Sequence, residues 1–250
     1  MKKESKRKGT MNVPASELPV EERSEDFRSS FHWRVFRIMS EFVNGWQFLA
    51  DFNKTVTFFG SARFQEGDKW YSEARKLGQL LSSNNLSVIT GGGPGIMEAG
   101  NRGAKEGEKG DSIGLNIQLP YEQRINAYVD KSIAFHYFFV RKVMLSYSAR
   151  AYVFFPGGFG TLDEFFEMVT LIQTKKIQSI PVVLVGKEFW EPLLKWMSKE
   201  VYGKFKAIDE ADQEIYKLVD TAEEAYEVIK NAPARHEFEE FICETGPESK

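Results

Sequence analysis

Between Thr55 and Gly186 short β-branched and aromatic runs alternate with segments of helical period, and few folds accommodate that order. The runs are TVTFFG (55–60), SVITGGG (87–93), DSIGLNI (111–117), AYVFFPGG (151–158) and PVVLVG (181–186). Helical periods fall between them, at Trp70–Leu81, Met97–Ala104, Phe138–Tyr147 and Thr161 to about Lys175, with a less regular stretch before Phe138. Repeated βαβ units close through right-handed crossovers into a parallel sheet. The predicted class is therefore α/β: a single Rossmann-like, doubly wound parallel sheet with helices on both faces.

The organisation around that sheet is simple. Residues 1–28 are polar and charged with two prolines and read as a flexible arm, in which KKESKRK is a solvated tail. Phe31, Val35, Ile38, Met39, Phe42, Val43, Trp46 and Leu49 recur at three- and four-residue steps, predicting a packed helix over about 31–52. It opens a domain spanning 29–232, and 233–250 form a polar C-terminal tail.

Bulk properties exclude several classes. Lys plus Arg number 33 against 36 Asp plus Glu, so no basic excess points to nucleic acid. Cys243 is the sole cysteine, which excludes an intrachain disulfide framework and a cysteine-rich zinc site. No run reaches signal-peptide or membrane-span length, so the expectation is a soluble, cytoplasmic protein without membrane contact.

The glycine loops carry the chemistry. With a 3-2-1-4-5 order, the strands ending FFGSA and FFPGG lie side by side, and their loops face one crevice at the carboxyl ends of the strands. The ATP-binding pattern G-x-x-x-x-G-K-[ST] is absent. The dinucleotide pattern G-x-G-x-x-G fails because Ile96 and Asp163 stand at its sixth position. G-x-S-x-G is also absent, and His236-Glu237 is not followed by the histidine of a zinc helix. What remains is a strand, a loop of small residues and the open first amides of a helix, a site for one phosphate monoester. Gly157, Gly158 and Gly160 permit close approach and Thr161 adds a hydroxyl. Thr161-x-x-Glu164 also fits a capping box, so spacing alone leaves Glu164 as either a helix cap or a carboxylate one turn beyond a bound phosphate. Arg141, beside the apolar stripe Phe139, Val140, Val143, Met144 and Tyr147, is either a flanking charge or a site residue. His136, at a strand end, reads as structural.

FFGSAR (58–63), TGGGPGIMEA (90–99), LPYEQ (119–123), FFVRK (138–142) and PGGFGTLDE (156–164) together resemble the Lonely Guy family, over roughly Thr55 to Ile229. These are nucleotide 5'-monophosphate phosphoribohydrolases often labelled lysine decarboxylases. The resemblance implies hydrolysis of a purine, including cytokinin-type, nucleoside 5'-monophosphate to free base and ribose 5-phosphate, with no cofactor or metal. It implies that Gly157, Gly158, Phe159, Gly160 and Thr161 cradle the phosphate, with Pro156 and Leu162 beside them in the substrate-binding set, and that Glu164 and Arg141 are catalytic. Lys142 would line the site, Glu122 would touch the base side and Thr170 would add a contact, while Gly60, Ser61, Gly92 and Gly93 complete the substrate-binding set. Family members pair through helices bordering the site, which implies a homodimer or larger homo-oligomer with the apolar stripe from Phe139 to Tyr147 as its seam. The alternative from another class is a nucleotide-binding sensor or carrier without turnover. A pyridoxal-phosphate decarboxylase is the third reading, and no pattern identifies a Schiff-base lysine with its ring partners.

Overall fold

In the computed structural model the described residues are 31–52, 54–118 and 125–232. The predicted arm and tail and the whole of LPYEQ lie outside them. The chain divides between Ser40 and Glu41 into two units. Helix α1 (Phe31–Leu49) runs across that division. In the first unit Phe31, Val35, Phe36 and Met39 are exposed. The second unit carries everything that follows.

Among the described residues, seven strands form one parallel sheet in the order β4-β3-β2-β1-β5-β6-β7. These are β1 (Thr55–Phe59), β2 (Ser87–Thr90), β3 (Ser112–Ile117), β4 (Lys131–Phe135), β5 (Ala149–Phe154), β6 (Val182–Val185) and β7 (Tyr216–Val219). The helices between them are α2 (Lys69–Ser83), α3 (Ile96–Gly107), α4 (Phe138–Tyr147), α5 (Phe159–Gln173), α6 (Lys187–Trp196) and α7 (Ala222–Lys230). The expected 3-2-1-4-5 arrangement is present at the centre as β3-β2-β1-β5-β6, and two further strands flank it. β4 arises in the stretch read as irregular. Its alternation is blurred because Lys131, Ser132 and Ala134 are exposed on an edge strand.

Alternate residues of the strands feed two cores. On one face, Val56, Phe58, Val153 and Val183 pack with Trp70 and Leu77 of α2, Ile96 of α3 and Ala225 and Ile229 of α7. On the other, Phe165 of α5 makes ring contacts with Phe154 at 5.6 Å and Trp190 of α6 at 5.3 Å. Phe59 and Phe154, neighbours across the β1–β5 pairing, stack at 4.7 Å. Burial of side chains of this size contributes about 1.5 to 3 kcal/mol each, which is what holds the strands in register.

From Glu41 onward, α1 has a definite seat. The Glu41 carboxylate accepts from the backbone N–H of His136 at 3.0 Å and of Tyr137 at 3.1 Å, capping α4 from another element. A side chain at Gly45 would collide with Met144 of α4 and Phe135 of β4, so the two helices approach closely there. His136 itself contributes a backbone amide and an edge contact to Tyr137 at 4.9 Å, a structural role.

Candidate active site

The switch point of the sheet lies between β1 and β5, where successive connections leave on opposite faces. The loops beyond these strands are joined directly: the Ser61 N–H donates to the Pro156 carbonyl at 3.0 Å. The loop after β2 is tied in by Ile96, whose N–H donates to the Ser61 carbonyl at 3.0 Å. That approach requires a glycine at 95, with φ of 72°, because a side chain would run into the backbone of Ser61 and Ala62. The three loops enclose a cleft of about 730 Å³.

One wall is the start of α5. Gly158 is its N-cap and Phe159 its first residue, so Thr161 falls inside the first turn and makes no capping bond. The capping-box reading of Glu164 therefore does not hold. The first bond into the helix is Leu162 N–H to the Gly158 carbonyl at 3.1 Å, which leaves the amides of Gly158 to Thr161 without intrahelical acceptors. A Cβ at Gly158 or Gly160 would meet nothing within 4 Å, whereas one at Gly157 would strike Thr161. Gly157 is thus required by the fold, and Gly158 and Gly160 keep an open surface toward the cleft.

Glu164 lies one turn further, lining the cleft and only 6% exposed. Its Oε2 has no hydrogen-bond partner among the described residues. Burial pushes its carboxyl up to about 7, opposed by Lys142 and Arg141 and aided by Glu167 and Asp163. Arg141 faces the same cleft from α4, its Nε donating to the Leu115 carbonyl at 2.7 Å. Burial lowers its pKa while Glu164 opposes the shift. A side chain at Gly91 would overlap the Arg141 guanidinium, so the first glycine of TGGG makes room for the arginine.

The expected set divides on this geometry. Gly60, Ser61, Pro156, Gly157, Gly158, Phe159, Gly160, Thr161, Arg141 and Glu164 line the cleft together. Gly92 and Gly93 do not: their spaces abut the side chains of Asn116 and Met97, and Gly91 takes the lining position. Leu162 is partly buried in the helix body. Thr170 is exposed, and nine residues beyond Thr161 on one helix place it about 13 Å along the axis. Lys142 turns away from the lining to Asp163 and Glu167, and Glu122 lies outside the described residues. Arg63, Phe64, Met97, Phe138 and Phe189 line the cleft without having been singled out. Arg63 and Phe64 simply continue FFGSA, a signal the sequence offered; Phe189 arrives from the next strand along the sheet, which it did not. Among the described residues no group of three or more His, Cys, Asp or Glu side chains is arranged for a metal ion.

Residues 97–229, over half of the chain, match the family model described as "Possible lysine decarboxylase". The chain belongs to that family, the one its motifs resemble under the name Lonely Guy. Among the family's relatives, a rice protein named probable cytokinin riboside 5'-monophosphate phosphoribohydrolase LOGL5 is 30% identical over 62% of this chain and 63% of its own length. A pyrimidine/purine nucleotide 5'-monophosphate nucleosidase of Escherichia coli K12 is 27% identical over 70% of this chain and 37% of its own, so the chain spans under two thirds of each. The X-ray structure of TM1055 shares the fold with a TM-score of 0.54 at 23% identity, covering 71% of this chain and 98% of that one. A lysine decarboxylase of the usual kind needs pyridoxal phosphate, and the residues here do not fit it. The cleft lining contains no lysine, and the nearest one on α4, Lys142, has its ammonium held by two carboxylates.

Proposed function

We propose that the cleft hydrolyses the N-glycosidic bond of a purine nucleoside 5'-monophosphate, releasing free base and ribose 5-phosphate. The observation that carries this reading is the buried carboxylate of Glu164, whose Oε2 has no hydrogen-bond partner among the described residues, one turn beyond the open amides of Gly158 to Thr161. The names of the rice and Escherichia coli relatives support the same reaction class.

The amides of the first turn of α5 bind the phosphate, each charge-assisted hydrogen bond contributing roughly 1.5 to 3 kcal/mol. Anchoring the phosphate places the ribose beside Glu164. The bond between C1' and the base nitrogen breaks with its electron pair leaving on the base, and positive charge builds on the sugar. Ionised Glu164 stabilises that charge and takes a proton from the attacking water, whose oxygen bonds to C1'. Arg141 hydrogen-bonds to the electron-rich base, which acquires its proton from solvent because a guanidinium is a poor donor of one. Phe64, Met97 and Phe138 supply apolar surface for a purine ring, including one with an apolar cytokinin-type substituent.

Two copies of the chain pair in this reading. Val43, Trp46, Phe138, Phe139 and Val143 are exposed large apolar residues on α4 and the part of α1 seated against it. Covering them with a second copy removes that surface from water, and the test is the mass in solution. A nucleotide carrier without turnover has no need of the buried Glu164. Chromatography of free base after incubation with AMP, isopentenyladenosine monophosphate, CMP and adenosine tests the reaction. Base from the purine monophosphates and none from adenosine supports it; equal release from adenosine removes the phosphate anchor from the account.

A further inference from the structure

Lys142 stands next to Arg141 in sequence, yet the two side chains serve different neighbours. Successive residues on a helix point about 100° apart, so one faces the cleft and the other faces α5. The Lys142 ammonium lies 2.7 Å from Asp163 Oδ2 and 3.1 Å from Glu167 Oε2, with its side chain 16% exposed. Asp163 and Glu167 are four residues apart on α5 and repel one another in the absence of a cation between them. Glu164 sits inside the same turn, facing the cleft.

We propose that Lys142 is a positioning residue of the hydrolytic site: clamped between Asp163 and Glu167, its ammonium locks α4 to α5 and holds a positive charge beside the helical turn that carries Glu164.

Two consequences separate this role from that of a simple surface ion pair. The clamp fixes the relative placement of Arg141 and Glu164, which belong to the two helices it joins. It also sets the charge balance around Glu164. The charged groups facing Glu164 are Arg141 and Lys142 from α4 and Asp163 and Glu167 from α5, and Arg63 of the β1 loop lines the same cleft. Burial disfavours the ionised Glu164, and Lys142 is the largest of the groups acting against it. Reciprocally, burial alone would lower the lysine, and Asp163, Glu167 and Glu164 outweigh it and hold Lys142 above the ordinary lysine range. An opposite charge a few ångströms away moves a carboxyl by roughly one to three pH units.

The test has a kinetic arm, which rests on the hydrolase reading, and a titration arm, which does not. The pH dependence of kcat with AMP is measured for the wild type, Lys142→Met and Lys142→Arg. In parallel, the Glu164 carboxyl is titrated by carbon-13 NMR, its signal assigned by its loss in Glu164→Gln. The expected result is an upward shift of the acid limb and of the NMR midpoint by roughly one pH unit in Lys142→Met. Lys142→Arg restores both, while KM for AMP changes less than kcat. An equal loss of kcat at every pH with an unmoved limb, or an unmoved NMR midpoint, overturns the proposal. If the methionine variant does not fold, Lys142→Gln keeps a polar contact to Asp163 and is titrated in its place. If no nucleotide is turned over by the wild type, the hydrolase reading fails while the NMR midpoint still decides the role of Lys142.

Discussion

The guanidinium of Arg141 occupies the space that the missing side chain of Gly91 leaves open. A glycine just beyond β2 and an arginine on α4 are therefore one device, although they lie fifty positions apart in sequence. Gly91→Ala is predicted to displace the guanidinium while leaving the sheet intact. A misplacement of about 1 Å costs on the order of 100-fold in rate, so kcat for AMP falls by about that factor with Tm nearly unchanged. Steady-state kinetics and a thermal melt on the same preparation check it.

Gly157 and Gly160 make opposite predictions. A Cβ at Gly160 meets nothing, and alanine is favoured over glycine inside a helix by about 0.5 to 1 kcal/mol, so Gly160→Ala raises Tm slightly. Its methyl group intrudes on the phosphate cradle, so KM for AMP rises by about tenfold or more, the cost of roughly one lost hydrogen bond. Gly157→Ala strikes Thr161 instead and lowers Tm.

Much of this was legible in the sequence, and the exceptions have physical causes. The central strands announce themselves because both faces are buried and their apolar runs are unbroken. Strands β4 and β7 do not: Lys131 and Lys217 put charges on edge strands that have water on one side. The cleft residues of PGGFGT follow from one strand–loop–helix unit, so local sequence suffices. For TGGG it does not suffice, because the direction each glycine faces depends on tertiary neighbours such as Asn116 and Met97. Thr161-x-x-Glu164 misleads as a cap because the helix starts two residues earlier, at Phe159. Lys142 was grouped with Arg141 on motif alone, and the 100° helical step is what separates them.

Glu164 makes stability depend on pH. Its folded carboxyl titrates near 7, above its ordinary 4.5, so between those values the folded state binds more protons than the unfolded one. Stability contributed by the protonated group is full below about 4.5 and is lost as pH rises through about 7. Glu164→Gln removes this loss, so its Tm relative to the wild type increases from pH 5 to pH 8. Each kcal/mol corresponds to about 2 to 4 °C for a domain of this size, so a shift of several degrees is expected in thermal melts across that range.

Glu41 ties α1 to α4 through two backbone amides. Glu41→Ala leaves the start of α4 uncapped and costs about 1 to 3 kcal/mol, read as a lower urea midpoint with an unchanged slope. Because α4 carries Arg141, kcat falls as well. Glu41→Asp, one methylene shorter, is expected to be intermediate in both readouts.

Turning a nucleotide over and merely holding it make different demands on this cleft, and Glu164 is where the two differ. Adenine release from AMP and AMP affinity, measured side by side for the wild type and Glu164→Gln, decide the matter. Adenine and ribose 5-phosphate are expected in equal amounts from the wild type, with a loss of at least 1,000-fold in kcat in the variant (about 4 kcal/mol of barrier) and AMP binding within about tenfold of the wild type. Tight AMP binding by both proteins with no adenine released by either would contradict turnover and leave the cleft a binding site without hydrolysis.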